Sequence, residues 1–311
     1  MAFYRALGTG MVISADSPID DKVRSAMESL IEDYEHVLSR FRNDSLIAAI
    51  GKAEHGGSFD FPDWCAPLFD LYDALFSATS GAIDPCVGED LIRLGYDASL
   101  SFTVTQDAPE HLGALRGRAV WGRDVTRHGT TLVTHEPVQL DFGACGKGYL
   151  VDLLGRMLQS SQFVIDAGGD LLIHTEQPIS VALEDPEDQS HAIGIAHIAN
   201  GALCASAPSR RHWNVAVNER TQIAIHHLLN AIDGLPAQQT EASWAYVPAN
   251  ATLNLARDYP TAVADGLATA LFVSDVAQLQ RTFDFTYATL DESRQIAVSR
   301  NFPAELFLRS A

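Results

Sequence analysis

The sequence predicts an α+β fold, with mixed and antiparallel sheets and helices packed on them. Three observations point there. Strand-like segments follow one another more often than they alternate with helices, which argues against a doubly wound parallel sheet. Apolar residues at helical spacing are confined to a few stretches. No internal repeat, low-complexity tract or linker interrupts the 311 residues.

In order, residues 3–14 read as a strand passing through Gly8-Thr9-Gly10. Ser17-Pro18 then opens a long helix whose apolar face is Val23, Met27, Leu30, Ile31, Tyr34, Val37 and Leu38. Ser39 to Leu46 breaks the pattern and sets Phe41 between Arg40 and Arg42. A second helix runs from about Pro62 to Ser80, with Gly81 as its closing glycine. Gly81-Ala82-Ile83-Asp84-Pro85-Cys86-Val87-Gly88 is a loop around a carboxylate in an apolar setting. Alternating Val, Thr and Leu between 101 and 142 predict short strands, and residues 148–160 a helix.

Phe163 to Ile173 reads as strand, glycine turn, strand, and β-rich segments continue near 179–184, 191–198, 202–206, 213–217 and 221–229. A strand at Ser243–Val247 follows, then an irregular stretch at 249–260. Thr261 is expected to cap a helix reaching Val273, and 282–298 to close the chain as a hairpin.

Composition narrows the function. With 47% hydrophobic and 20% charged residues, the chain has the balance of a globular domain. A net charge of −19 repels nucleic acid and anionic membrane surfaces, though it permits a locally basic pocket. The four cysteines (Cys65, Cys86, Cys145, Cys204) lie far apart in apolar or small-residue contexts, as reduced thiols do. The first residues show no charged segment leading into an apolar one, and no apolar run nears the roughly 18 residues of a membrane helix. The expectation is a cytoplasmic protein without membrane insertion.

Several groups of residues could carry chemistry. Val138 to Phe142 reads as a strand-like lead-in to Gly143-Ala144-Cys145-Gly146-Lys147-Gly148, behind which Val151, Leu154 and Leu158 recur at helical spacing. Glycines between a strand and a helix expose N–H groups to an anion, and a lysine adds a point charge suited to phosphate. No GxxxxGK[ST] motif can be written here, and a tight turn with a solvated lysine has the same composition. Asp265 and Thr269 stand one helical turn apart. They suit Mg²⁺, which takes few protein oxygens, or serve as a dipole-favouring carboxylate and a back-bonded hydroxyl.

His226-His227 ends an alternating strand, and His227 is either a general base or a structural ring. Asp84 and Asp141 either bond a ligand or cap local backbone. Gly168-Gly169 marks a close backbone approach or simply a turn.

Taken in order, these pieces resemble the ApbE family, the FAD:protein FMN transferases, over nearly the whole chain. Gly8-Thr9 is similar to the family's MGT, with Leu7 in the methionine position. Ser39-Arg40-Phe41-Arg42-Asn43-Asp44-Ser45-Leu46 resembles S-x-Y-x-x-D-S-x-L, with Phe41 for tyrosine. Gly81–Pro85 resembles GAFDP, Leu140–Asp152 resembles D-L-G-A-I-A-K-G-Y-A-V-D, Ala167–Leu171 the GGD-L turn, and Ala264–Ala270 the ADALATA helix.

The resemblance implies a single ApbE-like domain over 1–311, or two intertwined lobes. It implies Mg²⁺, or Mn²⁺, held by the Asp265 and Thr269 side chains and the Ala144 carbonyl. FAD as substrate would meet Phe41, Ala82, Ile83, Asp84, Asp141 and Lys147. The FMN half would pass to a Thr or Ser hydroxyl of a target flavoprotein, forming a phosphoester and releasing AMP. His227 is the expected base, with Asp265 as its rival for the catalytic proton.

Two stretches depart from the family. H-x-I-D-P-R-T-G is replaced by His227-Leu228-Leu229-Asn230-Ala231-Ile232-Asp233-Gly234, which loses the arginine. Ala207-Pro208-Ser209-Arg210-Arg211 replaces G-D-Y-x-R. The altered 230–233 loop keeps open metal-dependent hydrolysis of FAD to FMN and AMP. A non-catalytic FAD-binding protein is the third reading.

Overall fold

The computed structural model describes residues 1–218 and 221–307. β1 (Ala2–Ala6) and β2 (Thr9–Ala15) form a hairpin rather than one strand. Leu7 and Gly8 take φ of 52° and 74°, the left-handed pair of a two-residue turn, and set Ala6 opposite Thr9. α1 (Asp21–Leu38) buries Met27, Ile31, Tyr34 and Leu38, the expected apolar face. α2 (Leu46–Gly51) is capped by Ser45, whose hydroxyl accepts the Ala48 N–H at 3.1 Å.

β3 (Gly57–Asp60) precedes α3 (Ala66–Ala78). Gly81, at φ 89°, returns its N–H to the Phe76 carbonyl at 2.8 Å and closes α3 as expected. α4 (Gly88–Arg93) and α5 (Ala108–His111) follow, then β4 (Val125–His128) and β5 (Thr131–Thr134). The strands expected from 101 onward are thus confined to 125–134. Upstream, the Asp97 carboxylate accepts the N–H and hydroxyl groups of both Ser99 and Ser101, a side-chain network that competes with a ladder.

The lead-in at Val138 to Phe142 is not a strand either. The Asp141 N–H goes to the Pro85 carbonyl at 2.7 Å, and the Gln139 side chain donates to the Gly51 carbonyl.

α6 (Gly146–Gly155) is followed by β6 (Phe163–Asp166), β7 (Asp170–Glu184) and β8 (Ala192–Ser206). β9 (His212–Asn218) pairs with β10 (Thr221–His226), and β11 (Leu229–Asn230) with β12 (Leu235–Pro236). β13 (Thr240–Pro248) leads to α7 (Asn254–Asp258), α8 (Pro260–Ala270) and α9 (Val276–Leu279). β14 (Thr286–Asp291), β15 (Ile296–Val298) and β16 (Ala304–Leu306) complete the described chain.

Thr261 does not cap α8. Pro260 is the first helical residue, and the free N–H groups of Thr261 and Ala262 donate to the two oxygens of Asp152 at 3.1 and 2.8 Å. A carboxylate from α6 therefore does the capping.

The chain divides into two compact units: Met1–Glu32 with Ala144–Ser209 and Gln238–Ala311, and Asp33–Gly143 with Arg210–Ala237. The first holds a nine-stranded antiparallel sheet in the order β1-β2-β6-β7-β8-β13-β14-β15, with β16 also on β8. Ile173, Leu183, Ile198, Leu203, Trp244 and Leu290 are among its buried core. α8 packs on β8, β13 and α6, and the Ser243 hydroxyl ties β13 to it by donating to the Ala268 carbonyl at 2.6 Å.

The second unit carries the three-stranded sheet β3-β5-β4 and the two short strand pairs. Phe61, Phe69, Tyr72, Trp121 and Phe142 form an aromatic core there, and Leu91, Leu94, Tyr96, Trp213, Ile225 and Leu229 a second cluster. All the pairings within the named sheets are antiparallel, so the fold is α+β with helices on antiparallel sheets, and none of these sheets is mixed. Among the described residues no helix is long and apolar enough to cross a membrane. The four cysteines are buried free thiols, and burial pushes Cys65 well above the usual thiol range.

Candidate active site

In the first unit, α6 begins against the first turn of α8. A Cβ at Gly148 would sit 2.3 Å from the Thr261 carbonyl oxygen, so only glycine allows the two backbones this close. That approach, with the Asp152 cap, brings Ala144, Lys147, Asp265 and Thr269 together across some 120 residues of sequence. Asp265, 2% exposed, accepts the Gly148 N–H at 3.0 Å, and the Lys147 amine lies 3.3 and 3.4 Å from its oxygens. The Thr269 hydroxyl donates to the Ala144 carbonyl at 3.4 Å, a loose contact.

A residue not singled out from the sequence completes the cluster. Asp170 Oδ2 lies 2.6 Å from Lys147 Nζ, an ion pair off the direction of a good hydrogen bond. Burial first, then the neighbouring Asp170 charge, push Asp265 above the ordinary carboxylate range, while Lys147 pulls it back. Burial would lower the Lys147 amine, but Asp170 and Asp265 outweigh it and hold the amine above its usual value.

The donor set fits a hard divalent cation. Carboxylate, hydroxyl and carbonyl oxygens converge, and the two buried carboxylates face one ammonium, leaving negative charge to be offset. Among the described residues no three His, Cys, Asp or Glu side chains form a metal cage. The set therefore suits Mg²⁺ or Mn²⁺, which complete their shells with water or phosphate oxygens, better than zinc.

In the second unit, Phe41 is 40% exposed and meets Tyr96 edge-on at 5.3 Å. The Arg40 guanidinium lies 4.2 Å from the Phe41 ring centre and 4.6 Å from that of Tyr96. It also pairs with Asp141 and donates to the Tyr96 carbonyl at 2.5 Å. The other Asp141 oxygen accepts the Gly143 N–H at 2.6 Å. Arg40 stands beside Phe41 in the sequence, which gives no sign of its pairing with Asp141 and Tyr96.

Ala82, Ile83 and Asp84 are buried. Asp84 accepts the Cys86 and Trp121 N–H groups at 2.8 and 3.3 Å and faces Arg118 at 3.4 Å. Burial raises its pKa, against the pull of Arg118. Arg118 also pairs with Asp90 at 2.8 Å and donates to the Ala231 carbonyl at 2.7 Å. The Asp84 carboxylate thus binds the Cys86 N–H nearby and the Trp121 N–H from a distant stretch of chain. The Asp141 N–H bond to Pro85 links this group to Arg40 and Phe41.

The two histidines differ. His226 donates from Nε2 to the Ala237 carbonyl at 2.7 Å and accepts the Leu228 N–H at Nδ1, and burial lowers its pKa. It is a neutral structural ring. His227, half-buried, has Nδ1 at 3.2 Å from the Arg211 carbonyl. A carbonyl only accepts, so that contact makes Nδ1 the donor.

The model of the ApbE family matches residues 7–289. The FAD:protein FMN transferase of Treponema pallidum (strain Nichols) is 25% identical over 299 residues, covering 81% of this chain and 72% of the relative. The crystal structure of the ApbE protein of Thermotoga maritima superposes with a TM-score of 0.78 at 20% identity, covering 98% of this chain and 99% of that one. The flavin transferase ApbE of Vibrio cholerae gives 0.76 at 17% identity, with 97% of each chain covered.

Proposed function

Since the chain belongs to the ApbE family, we propose that it is an Mg²⁺-dependent FAD:protein FMN transferase acting on a Thr or Ser of a target flavoprotein. The observation that supports this most is the meeting of Ala144, Lys147, Asp265 and Thr269 around buried oxygen donors. The Asp265 and Thr269 side chains and the Ala144 carbonyl are assigned to the metal. Bound there, Mg²⁺ supplies positive charge against pyrophosphate oxygens, which is what phosphoryl transfer most needs.

Phe41, Ala82, Ile83, Asp84, Asp141 and Lys147 are assigned to FAD. Phe41 offers an exposed ring face to an aromatic system, and Lys147 a charge for phosphate. Ala82 and Ile83 are buried, so their contribution is backbone and shape.

In the transfer the acceptor oxygen bonds to the FMN phosphorus as the bond from phosphorus to the bridging oxygen breaks. The bridging oxygen leaves with AMP, and the acceptor proton passes to a base. His227 is assigned that role, with Nδ1 turned to the Arg211 carbonyl. Asp265 is the weaker candidate, because a metal-bound carboxylate is a poor base. Buried reduced thiols support a cytoplasmic target.

The test is to incubate the protein with FAD and Mg²⁺, with and without candidate flavoproteins, and follow AMP and protein mass. A target gaining the mass of FMN with matching AMP is expected. Asp265→Ala flavinylating as fast as wild type overturns the metal assignment. One observation favours hydrolysis as a second reading: Asn230 and Asp233 spend their side chains on the Ile232 and Leu235 N–H groups, closing the altered loop on itself. AMP and free FMN formed without any target are the result expected from it. FAD that co-purifies and stays whole after Mg²⁺ addition, with candidate targets present as well as absent, favours a binder over both readings.

A further inference from the structure

Resting on the metal reading above, we infer that Asp170 is the positioning residue of Lys147, holding the amine clear of Asp265 so that a divalent cation can be taken up there. Lys147 Nζ lies 2.6 Å from Asp170 but 3.3 Å from the nearer Asp265 oxygen. The lysine side chain is 30% exposed, whereas those of Asp170 and Asp265 are 1% and 3% exposed. Of the three groups, the amine has room to move.

The place of Asp170 is built by the turn before it. Gly168 and Gly169 take φ of 70° and 107°, conformations open to glycine at little cost. Asp166 Oδ1 accepts both their N–H groups, at 2.9 and 3.2 Å, and the Gly169 carbonyl accepts the Ala205 N–H at 3.1 Å. A Cβ at Gly168 would sit 2.6 Å from the Thr9 hydroxyl, so the tip of the first hairpin closes against this turn. Two motifs that the transfer reaction leaves unexplained, Gly8-Thr9 and Gly168-Gly169-Asp170, thereby serve one end: a carboxylate delivered inward to the lysine.

The charges supply the reason. Two carboxylates and one ammonium leave one negative charge uncompensated in a buried setting, which favours a second cation. A metal ion and an ammonium on the same carboxylate repel each other. Asp170 gives the ammonium a seat of its own, already in contact. Without it, the ion-pair partner left to Lys147 among the described residues is Asp265, and lysine and metal compete for that group.

The experiment measures Mg²⁺ affinity by calorimetry and by the Mg²⁺-induced rise in unfolding temperature, with neither FAD nor target present. Asp170→Asn keeps the side chain's size and is expected to weaken Mg²⁺ binding about tenfold or more, as loss of a group supporting a metal ligand does. Lys147→Met is expected to bind Mg²⁺ at least as tightly as wild type. The double variant should recover wild-type affinity, since the competitor is gone; a folding defect is not cured by removing the lysine.

Asp170→Asn binding as wild type does, a double variant as weak as Asp170→Asn, or Lys147→Met weaker than wild type each overturns the inference alone. A wild-type protein that takes up no Mg²⁺ overturns the metal reading and the inference with it.

Discussion

At the scale of single residues, the sharpest contrast is between the adjacent histidines. Both ring nitrogens of His226 are committed to backbone, so replacing it removes structure. His227 turns Nδ1 to the Arg211 carbonyl and sets its ring edge-on to Tyr96. His227→Gln is therefore expected to lower the transfer rate about a hundredfold, the low end for loss of a general base, and to leave Mg²⁺-induced stabilisation intact. A rate within twofold of wild type, measured by AMP release with a competent target, removes His227 from the chemistry.

The residues that meet where α6 and α8 pack were mostly legible in the sequence as candidates. A one-turn spacing of carboxylate and hydroxyl is a local pattern, and so is a lysine among glycines. Asp170 was not legible as a functional group, because its role depends on where a double-glycine turn points it. Arg118 carried no signal at all: a buried arginine looks in sequence like any surface one, and its partners Asp84 and Asp90 are some 30 residues away.

At the scale of elements, α6 and α8 are joined by two devices that can be tested separately. Gly148→Ala puts a methyl group 2.3 Å from the Thr261 carbonyl oxygen, and backbone on both sides leaves little to give. The expected cost is about 1–3 kcal/mol in urea unfolding, together with a weaker response to Mg²⁺, because Asp265 and Lys147 ride on the separated helices. Unchanged stability and Mg²⁺ response would show that the close approach is not what aligns the cluster.

The second device is the Asp152 cap, whose pKa burial raises to about 7 against an ordinary value of 3.8. The native state therefore holds a proton there that the unfolded chain releases between about pH 4 and pH 7. The Asp152 contribution is full below pH 4, is lost as pH rises through 7, and is flat beyond. Asp152→Asn should flatten that part of the stability curve while losing about 1 kcal/mol of capping. Denaturant midpoints from pH 4 to pH 8 decide it; equal slopes for variant and wild type sink the assignment.

This cap also explains why Thr261 misleads as a sequence signal. A threonine before an apolar run looks like a cap, but Pro260 starts the helix and a carboxylate from another helix satisfies its free N–H groups. The absent strand at 138–142 has the same cause, since its backbone partner is the Pro85 carbonyl. Hydrophobic periodicity says which face is buried; it is silent on non-local partners.

At the scale of the whole molecule, the −19 net charge is the largest feature that neither fold nor site requires. The ion pairs lie mostly at the surface, where each contributes little, so the acidic excess acts chiefly as self-repulsion on the compact state. Screening should therefore stabilise the protein. Raising monovalent salt from about 10 mM to about 150 mM shortens the Debye length from roughly 30 Å to roughly 8 Å, less than the span of a domain this size. With a chelator present to exclude divalent ions, the urea midpoint at pH 7.5 is expected to rise across that range. Near the isoelectric point of about 4.8 the same salt step should do little, because repulsion there is already balanced. A midpoint that falls with salt at pH 7.5 would mean that attractive pairs such as Arg127 with Asp70 and Asp73 outweigh the net charge. The acidic surface would then bear on partner choice alone, steering association toward basic targets and away from acidic ones.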